Sequence, residues 1–332
     1  MKIAIRELEE LTARAIAAYG YDEAEVQAIS DVLLYAQLRG NNQGIVKLIG
    51  KGIPKHLQAG EIRVEKETPL SVRIDGSQNH AMVVVSRAVD IVIAKAQAMG
   101  FGLAGVSNTS TSSGAIGYFA SQMAKRGLIG FVFARSPERV AAHGSYEPVF
   151  GTNPLAIAIP AAPDPIVLDM STAAISFYGL LEAKTAGRSI ADDLAYDAGG
   201  MPTSDAEAAI GGAIRSFDRG HKGSSLGLIG EILAGPMVGA AFCGLGDSKG
   251  NWGHLLYAID PELLTDRNEF MAEVGRIVER VKSTRPLEGV DEIFVPGERG
   301  NALTRKRLAA GEIDIEDNLL AQLRAVAAQA EK

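Results

Sequence analysis

Leu168–Asp169–Met170–Ser171–Thr172 ends a short β-prone run, Ile166–Leu168, and leads into a stretch of helical character, Ala173–Ala186. A strand that becomes a helix through hydroxyl side chains can do two things. Ser171 or Thr172 can cap the helix, and either can bind a ribose or phosphate at the helix's positive end. Spacing alone leaves both readings open. What this corner lacks is glycine. No GxGxxG follows a first strand, and no GxxxxGK[ST] occurs anywhere. Gly244–Gly246–Gly250 is a loose imitation that runs into Asn251–Trp252–Gly253 instead of a helix. An ordinary dinucleotide-binding Rossmann unit is therefore not expected.

Outward from this corner the chain divides by pattern. Other β-prone runs are Ser71–Ile74, Leu128–Phe133, Leu155–Ile159 and Leu255–Ile259, with helical stretches at Ala81–Met99 and Ile116–Arg126 between them. That mixture predicts an α/β middle. The first sixty residues read as helices. Leu8, Leu11, Ala15 and Ala18 recur at helical spacing and Gly20 stops the run. Asp22 and Glu25 have the spacing of a capping box, with Val26, Ile29, Val32 and Leu33 on one face. A third helix is predicted over Gln43–Lys55, with Lys47, Lys51 and Lys55 at i, i+4, i+8. Like charges so placed repel mildly, so the ladder is either a solvated face or a site for an anion. After Asp260–Pro261 the chain turns helical and charged again.

Composition narrows the classes. The 332 residues include 33 basic and 40 acidic side chains, for a net charge of −7, and are 47% hydrophobic and 22% charged. This is a globular composition, not a disordered one. The acidic balance argues against nucleic acid as a partner. One cysteine, Cys243, permits no intrachain disulfide, and no spacing of the five histidines suggests a metal site. The apolar stretch Leu226–Leu245 contains Glu231 and Pro236 and reads as a buried helix plus loop, not a membrane span. Met1–Glu10 has no secretory pattern, so a cytoplasmic location is expected.

Several segments could carry chemistry. Gly220–His221–Lys222–Gly223–Ser224–Ser225 precedes a helical run and offers backbone amides plus a cation to a phosphate; it is otherwise a capping loop. Asn108–Gly114 is a run of small hydroxyl residues ahead of a helix. Pro296–Gly297–Glu298–Arg299 is a tight turn. His143, in a loop ahead of Gly151–Thr152–Asn153–Pro154, is a candidate for proton transfer or a histidine bound by its own backbone.

Taken in order, these segments make nearly the whole chain resemble the malate/L-lactate dehydrogenase family. That family also includes sulfolactate and ureidoglycolate dehydrogenases, diketogulonate reductase and Δ1-piperideine-2-carboxylate reductase. The resemblance rests on Leu38–Arg39–Gly40, Gly151–Thr152–Asn153–Pro154, Leu168–Thr172, Asp197 through Pro202–Thr203, Gly220–Gly223 and Pro296–Gly297–Glu298. It implies an α/β fold with a non-Rossmann NAD(P)-binding sheet and a helical lobe built from both chain ends. The boundaries it suggests are 1–68 and 261–332 for the lobe and 69–260 for the sheet domain. It also implies a homodimer, NADP or NAD as cofactor, and hydride transfer to or from a small carboxylate. Ser136, Asp169, Met170, Ser171, Thr172, Lys222, Gly223, Pro296, Gly297 and Glu298 fall where the family holds its cofactor. Lys47 falls where relatives carry a substrate-binding arginine, and Lys51 where many carry a tyrosine.

Two departures stand out. Relatives carry Ser-His-Gly where this chain has Asn42–Gln43–Gly44, and a loop histidine where this chain has Thr111, Ser112 and Ser113. Gln43, Lys51 and Ser112 are then expected to bind substrate, but glutamine and hydroxyls do not shuttle protons near neutrality. Lys47, His143 and Asp197 are the candidates for the proton-transfer role, with Lys51 or water as further sources. An imine substrate can arrive already protonated, which points to imino-acid reduction; 2-oxo or 2-hydroxy acids are the other option. The alternative is a family-derived nucleotide- or ligand-binding protein without redox turnover. Arg135, Arg139, Lys184 and Arg188 are the cations available to a 2′-phosphate.

Overall fold

The computed structural model describes residues 1–50 and 52–331. Its centre is a mixed seven-stranded sheet in the order Arg63–Glu67, Ser71–Asp75, Phe101–Thr109, Trp252–Ile259, Ile129–Ala134, Leu155–Ile159, Ile166–Met170. Only Ser71–Asp75 and Phe101–Thr109 are parallel. The helix Ala81–Met99 crosses between them as a βαβ unit and buries Val84, Val85, Ala88, Val92 and Ala96. All five expected strands are present. Two more were not anticipated: Arg63–Glu67, fully exposed with no alternating pattern, and Phe101–Thr109, whose small residues leave a weak strand signal. The exposed strand begins ahead of the residue-69 boundary. A second sheet of four short strands runs Ala195–Tyr196, Ala213–Ile214, Val140–Ala141, Pro148–Phe150 and has its own small core around Phe150, Leu180 and Ile190.

Both chain ends build one lobe. Lys2–Ala4 pairs antiparallel with Glu312–Asp314. Helix Ile5–Ala17 buries Leu8, Leu11, Ala15 and Ile16, and helix Asp317–Ala327 buries Leu320, Leu323 and Ala327 in the same cluster. The helix Glu23–Leu38 starts with the expected capping box: Asp22 accepts from the Glu25 amide at 3.0 Å, and Glu25 accepts from the Asp22 amide at 2.9 Å.

The third helix predicted at the sequence level does not form. Among the described residues of that segment, one 3-10 turn, Ile45–Leu48, is the only helical element. Gly50 and Gly52 adopt φ of +66° and +60°, a region that ends helical backbone, and Gly44 lies where a Cβ would strike Gln37. The lysine ladder dissolves with the helix. Lys47 turns inward, Lys55 pairs with Glu25 at 2.7 Å, and Lys51 lies outside the described residues. Neither Ser171 nor Thr172 caps a helix either. Their hydroxyls donate to the Thr152 carbonyl, and Ser176 caps the later-starting helix Phe177–Thr185.

A buried ion pair ties the layers together. Arg135, fully buried at the end of strand Ile129–Ala134, donates to Glu231 of helix His221–Ala234 at 3.1 Å and to Glu138 at 2.6 Å. Glu231, 1% exposed, also accepts from Asn153 at 2.6 Å and from the amides of Cys243 and Gly151. This explains the acidic residue in the apolar stretch Leu226–Leu245. Removing one member strands the other charge in the interior, which costs about 3–5 kcal/mol. Glu231→Ala should lower the unfolding free energy by that amount in urea titration, while Glu147→Ala, on the exposed surface, should change it by less than about 0.5 kcal/mol.

Candidate active site

A cleft of about 510 Å³ opens between the lobe and the two sheets, inside the roughly 300–1,000 Å³ span of small-molecule sites. Three segments that are distant in sequence supply its wall. The turn after Leu38–Arg39–Gly40 brings Asn41, Asn42, Gln43 and Lys47; the loop before helix Gly117–Ala124 brings Ser110–Gly114; the start of helix Phe177–Thr185 brings Phe177 and Tyr178.

Lys47 is the central group. It is 4% exposed, donates to Ser112 Oγ at 3.2 Å, and lies 3.8 Å from the centroid of the Tyr178 ring. Among the described residues no carboxylate pairs with it. Burial therefore lowers its pKa from 10.5 to about 7. His80 lines the same wall and is 2% exposed. Its Nδ1 accepts from the Met82 amide at 3.2 Å, so the neutral ring carries its proton on Nε2, which has no partner. Burial first, and the Lys47 charge second, push the His80 pKa down to about 3. His80 is thus a neutral donor at any ordinary pH.

Asp169 lines the same cleft. Its carboxylate is open to the cleft, while protein crowds it elsewhere and raises its pKa to about 6; the Gly117 amide, 2.8 Å away, and the charge of Arg39 pull the other way. Gly117 must be small here, because a Cβ would lie 2.8 Å from Asp169 Oδ2. The Thr152 backbone organises the neighbourhood. Its carbonyl accepts from Ser171, Thr172 and the Thr172 amide, and its amide donates to Ser136 Oγ at 3.1 Å.

Comparison with known proteins shows the family. The model of the malate/L-lactate dehydrogenase family matches residues 3–324. The chain belongs to the malate/L-lactate dehydrogenase family. It is 34% identical to an L-sulfolactate dehydrogenase of Methanothermobacter thermautotrophicus over 98% of this chain and 96% of that one. It is 35% identical to a malate/(S)-sulfolactate dehydrogenase of Methanothermus fervidus over 98% and 97%. The solved sulfolactate dehydrogenase of Methanocaldococcus jannaschii superposes with a TM-score of 0.86 at 28% identity, covering 100% of this chain and 98% of that one. Like its relatives, this member is an NAD(P)-dependent oxidoreductase, with NAD or NADP as cofactor.

The structure gathers some of the expected site residues and separates others. Gln43, Lys47, Ser112, Ser136, Asp169 and Ser171 line the cleft. Met170 and Thr172 flank them on the same corner. Pro296–Gly297–Glu298 is brought to that corner by the Val167 amide, which donates to Pro296 O at 3.1 Å, and by Arg39, which donates to Gly297 O at 2.8 Å. Glu298 itself is engaged by Lys282 and the Val295 amide. Lys222 and Gly223 begin helix His221–Ala234, joined to the corner because the Phe217 amide donates to Thr172 O at 2.9 Å. Asp218 already accepts from the Gly220 amide at that helix start.

Two proton-transfer candidates stand apart from the cleft lining. His143 is exposed on a loop, edge-on to His221 at 6.2 Å. Asp197 closes a turn by accepting from the Gly199 and Met201 amides. Of the cations considered for a 2′-phosphate, Arg135 is locked in the interior, Lys184 pairs with Glu207 and Arg188 with Glu182; Arg139 lines the cleft. The sequence reading passed over His80 and Tyr178, which carry no motif. Among the described residues, no three His, Cys, Asp or Glu side chains converge as a metal site would need.

The cleft fits a nicotinamide and a small acid. Buried polar atoms without partners, His80 Nε2 and Thr111 Oγ1, line it beside an uncompensated cation. The lowered pKa of Lys47 has a measurable sign. Between pH about 7 and 10.5 the unfolded chain holds a proton that the folded chain has released, so stability rises with pH across that window. Urea unfolding at pH 6.5 and pH 9.5 should show this rise, and Lys47→Met should remove its part of the slope. Equal slopes in both proteins would mean that the amine is not desolvated.

Proposed function

We propose that this enzyme transfers a hydride between NAD(P) and C2 of a small 2-oxo or 2-hydroxy carboxylate, with Lys47 as both the anion holder and the acid. The bound nicotinamide supplies or accepts the hydride. The observation that carries the reading is the buried ammonium of Lys47, without a carboxylate, facing the cleft. An ammonium has three donors. One goes to Ser112, and two remain for the adjacent C1 carboxylate and C2 oxygen of one substrate. As C2 is reduced, the ammonium gives its proton to the C2 oxygen; in the oxidative direction the neutral amine takes it back. A pKa near 7 suits both directions. Gln43 and Ser112 orient the substrate, and His80 adds a fixed neutral donor. Ser136, Asp169–Thr172, Lys222–Gly223 and Pro296–Glu298 hold the cofactor.

The cleft's charge favours oxo acids over cyclic imino acids. A protonated imine would sit beside the cationic Lys47, whereas an oxo acid brings only negative charge. Reduction should therefore be more efficient with 2-oxo acids than with cyclic imino acids, and kcat/KM should fall above pH about 7. Lys47→Met should lose about 10²–10⁴-fold in kcat/KM. Preferred imino acids, or a Lys47→Met enzyme within threefold of the parent, would overturn the assignment. NADPH and NADH binding without turnover on any acid would favour the ligand-binding alternative.

We also propose a homodimer, in a cytoplasmic setting. From Leu226 onward, helix His221–Ala234 carries apolar residues on its outer face as well as its inner one, which suits an interior position. In the single chain, Leu228, Ile229, Ile232 and nearby Met237 are 43%, 49%, 46% and 60% exposed. A second copy covering this face would complete its burial. Light scattering should give twice the chain mass, and the double variant Ile229→Glu, Ile232→Glu should halve it.

A further inference from the structure

A second cation shares the cleft with Lys47. The guanidinium of Arg139 lies 4.2 Å from the centroid of the Phe177 ring. Phe177 and Tyr178 are the first two residues of helix Phe177–Thr185, capped by Ser176. Two cations therefore rest on two adjacent rings at one helix end: Arg139 on Phe177 and Lys47 on Tyr178.

Neither cation has a carboxylate beside it among the described residues. The reason is local for Arg139. Its neighbour Glu138 is engaged by Arg135, Ser248 and the Gly244 amide. Glu231 is enclosed in the interior. The Arg139 side chain makes no hydrogen bond or ion pair among the described residues, yet it is only half-exposed and lines the cleft. The helix end adds positive partial charge to the same side. His80 Nε2, buried and without a partner, lies on the cleft wall as well. An arginine held against an aromatic ring has less freedom to lose, and its planar fork suits a carboxylate or sulfonate.

We infer that Arg139 is a specificity-determining residue that binds a second anionic group on the substrate, so that the enzyme selects a dianionic acid over a mono-acid. This rests on the hydride-transfer reading above, in which Lys47 holds the first carboxylate and the C2 oxygen. The distal carboxylate or sulfonate lies against the Arg139 guanidinium. Discrimination then comes from a charge pair in a partly dehydrated cleft.

Oxaloacetate and pyruvate share the 2-oxo acid and differ in the distal carboxylate, so they test this directly. The parent enzyme should favour oxaloacetate in kcat/KM. Arg139→Gln should lower the oxaloacetate-to-pyruvate ratio at least tenfold, mainly through KM, and Arg139→Lys should restore part of it. Phe177→Leu, which keeps the arginine but removes its platform, should lower the ratio by a smaller factor. Equal losses on both acids would overturn the inference. So would a loss confined to cofactor affinity, which would make Arg139 a ligand of a cofactor phosphate. Calorimetry on the enzyme with NADPH bound gives a readout without turnover: succinate should bind tighter than butyrate, and Arg139→Gln should erase the difference. If no 2-oxo acid is reduced, the hydride-transfer reading fails, and the succinate–butyrate comparison still decides for or against Arg139.

Discussion

The architecture of the cleft depends on the buried pair Arg135–Glu231. Two charges taken out of water cost several kcal/mol each unless every lone pair and N–H finds a partner. Here the bonding is nearly complete. Glu231 receives Arg135, Asn153 and two backbone amides, and Arg135 also reaches Glu138 and the Ser248 carbonyl. The groups that satisfy the pair come from a strand end, a helix and two loops, so satisfying the charges fixes those four pieces against one another. Asn153 carries the constraint to Thr152, and Thr152 to Ser136, Ser171 and Thr172. One wall of the cleft is thereby rigid before any ligand arrives.

The facing wall is built on the opposite principle. Lys47 is as buried as Glu231 but has a hydroxyl and an aromatic ring for company instead of a counter-charge. Its protonated form is held there at a cost, and an anionic ligand relieves that cost. The two walls divide the work. The compensated charges hold shape, and in the proposed reaction the uncompensated Lys47 binds and reacts. Asp169, open to the cleft and raised toward neutrality by burial, stands between the two, because the Gly117 amide and the Arg39 charge offset part of its cost.

Much of the fold was legible because its signals are local. The helix Ala81–Met99 has the limits that its apolar spacing and the following Gly100 set, and the Asp22–Glu25 box forms as its spacing requires. The strand Phe101–Thr109 was missed because glycine and alanine make a poor strand signal, and its pairing with distant Trp252–Ile259 has no local trace. Gln43–Lys55 has apolar residues at helical spacing, but the positive φ values of Gly50 and Gly52 break the helix. The cleft was legible at Asp169 and Ser171 through their motif, at Lys47 and Ser112 through the lysine spacing and the hydroxyl run, and at Ser136 through the family resemblance. His80, Tyr178 and the burial of Lys47 were not. They result from three remote segments meeting, and no window of sequence contains that meeting.

The lobe that closes the cleft has a temporal side. Strand Lys2–Ala4 finds its partner only in Glu312–Asp314, and helix Ile5–Ala17 shares its core with Asp317–Ala327. On a ribosome adding roughly 5–20 residues per second, the first helices wait on the order of ten seconds or more for that partner. Throughout that interval Leu8, Leu11 and Ile16 have no complete core to enter, and apolar surface left uncovered in this way is open to other chains.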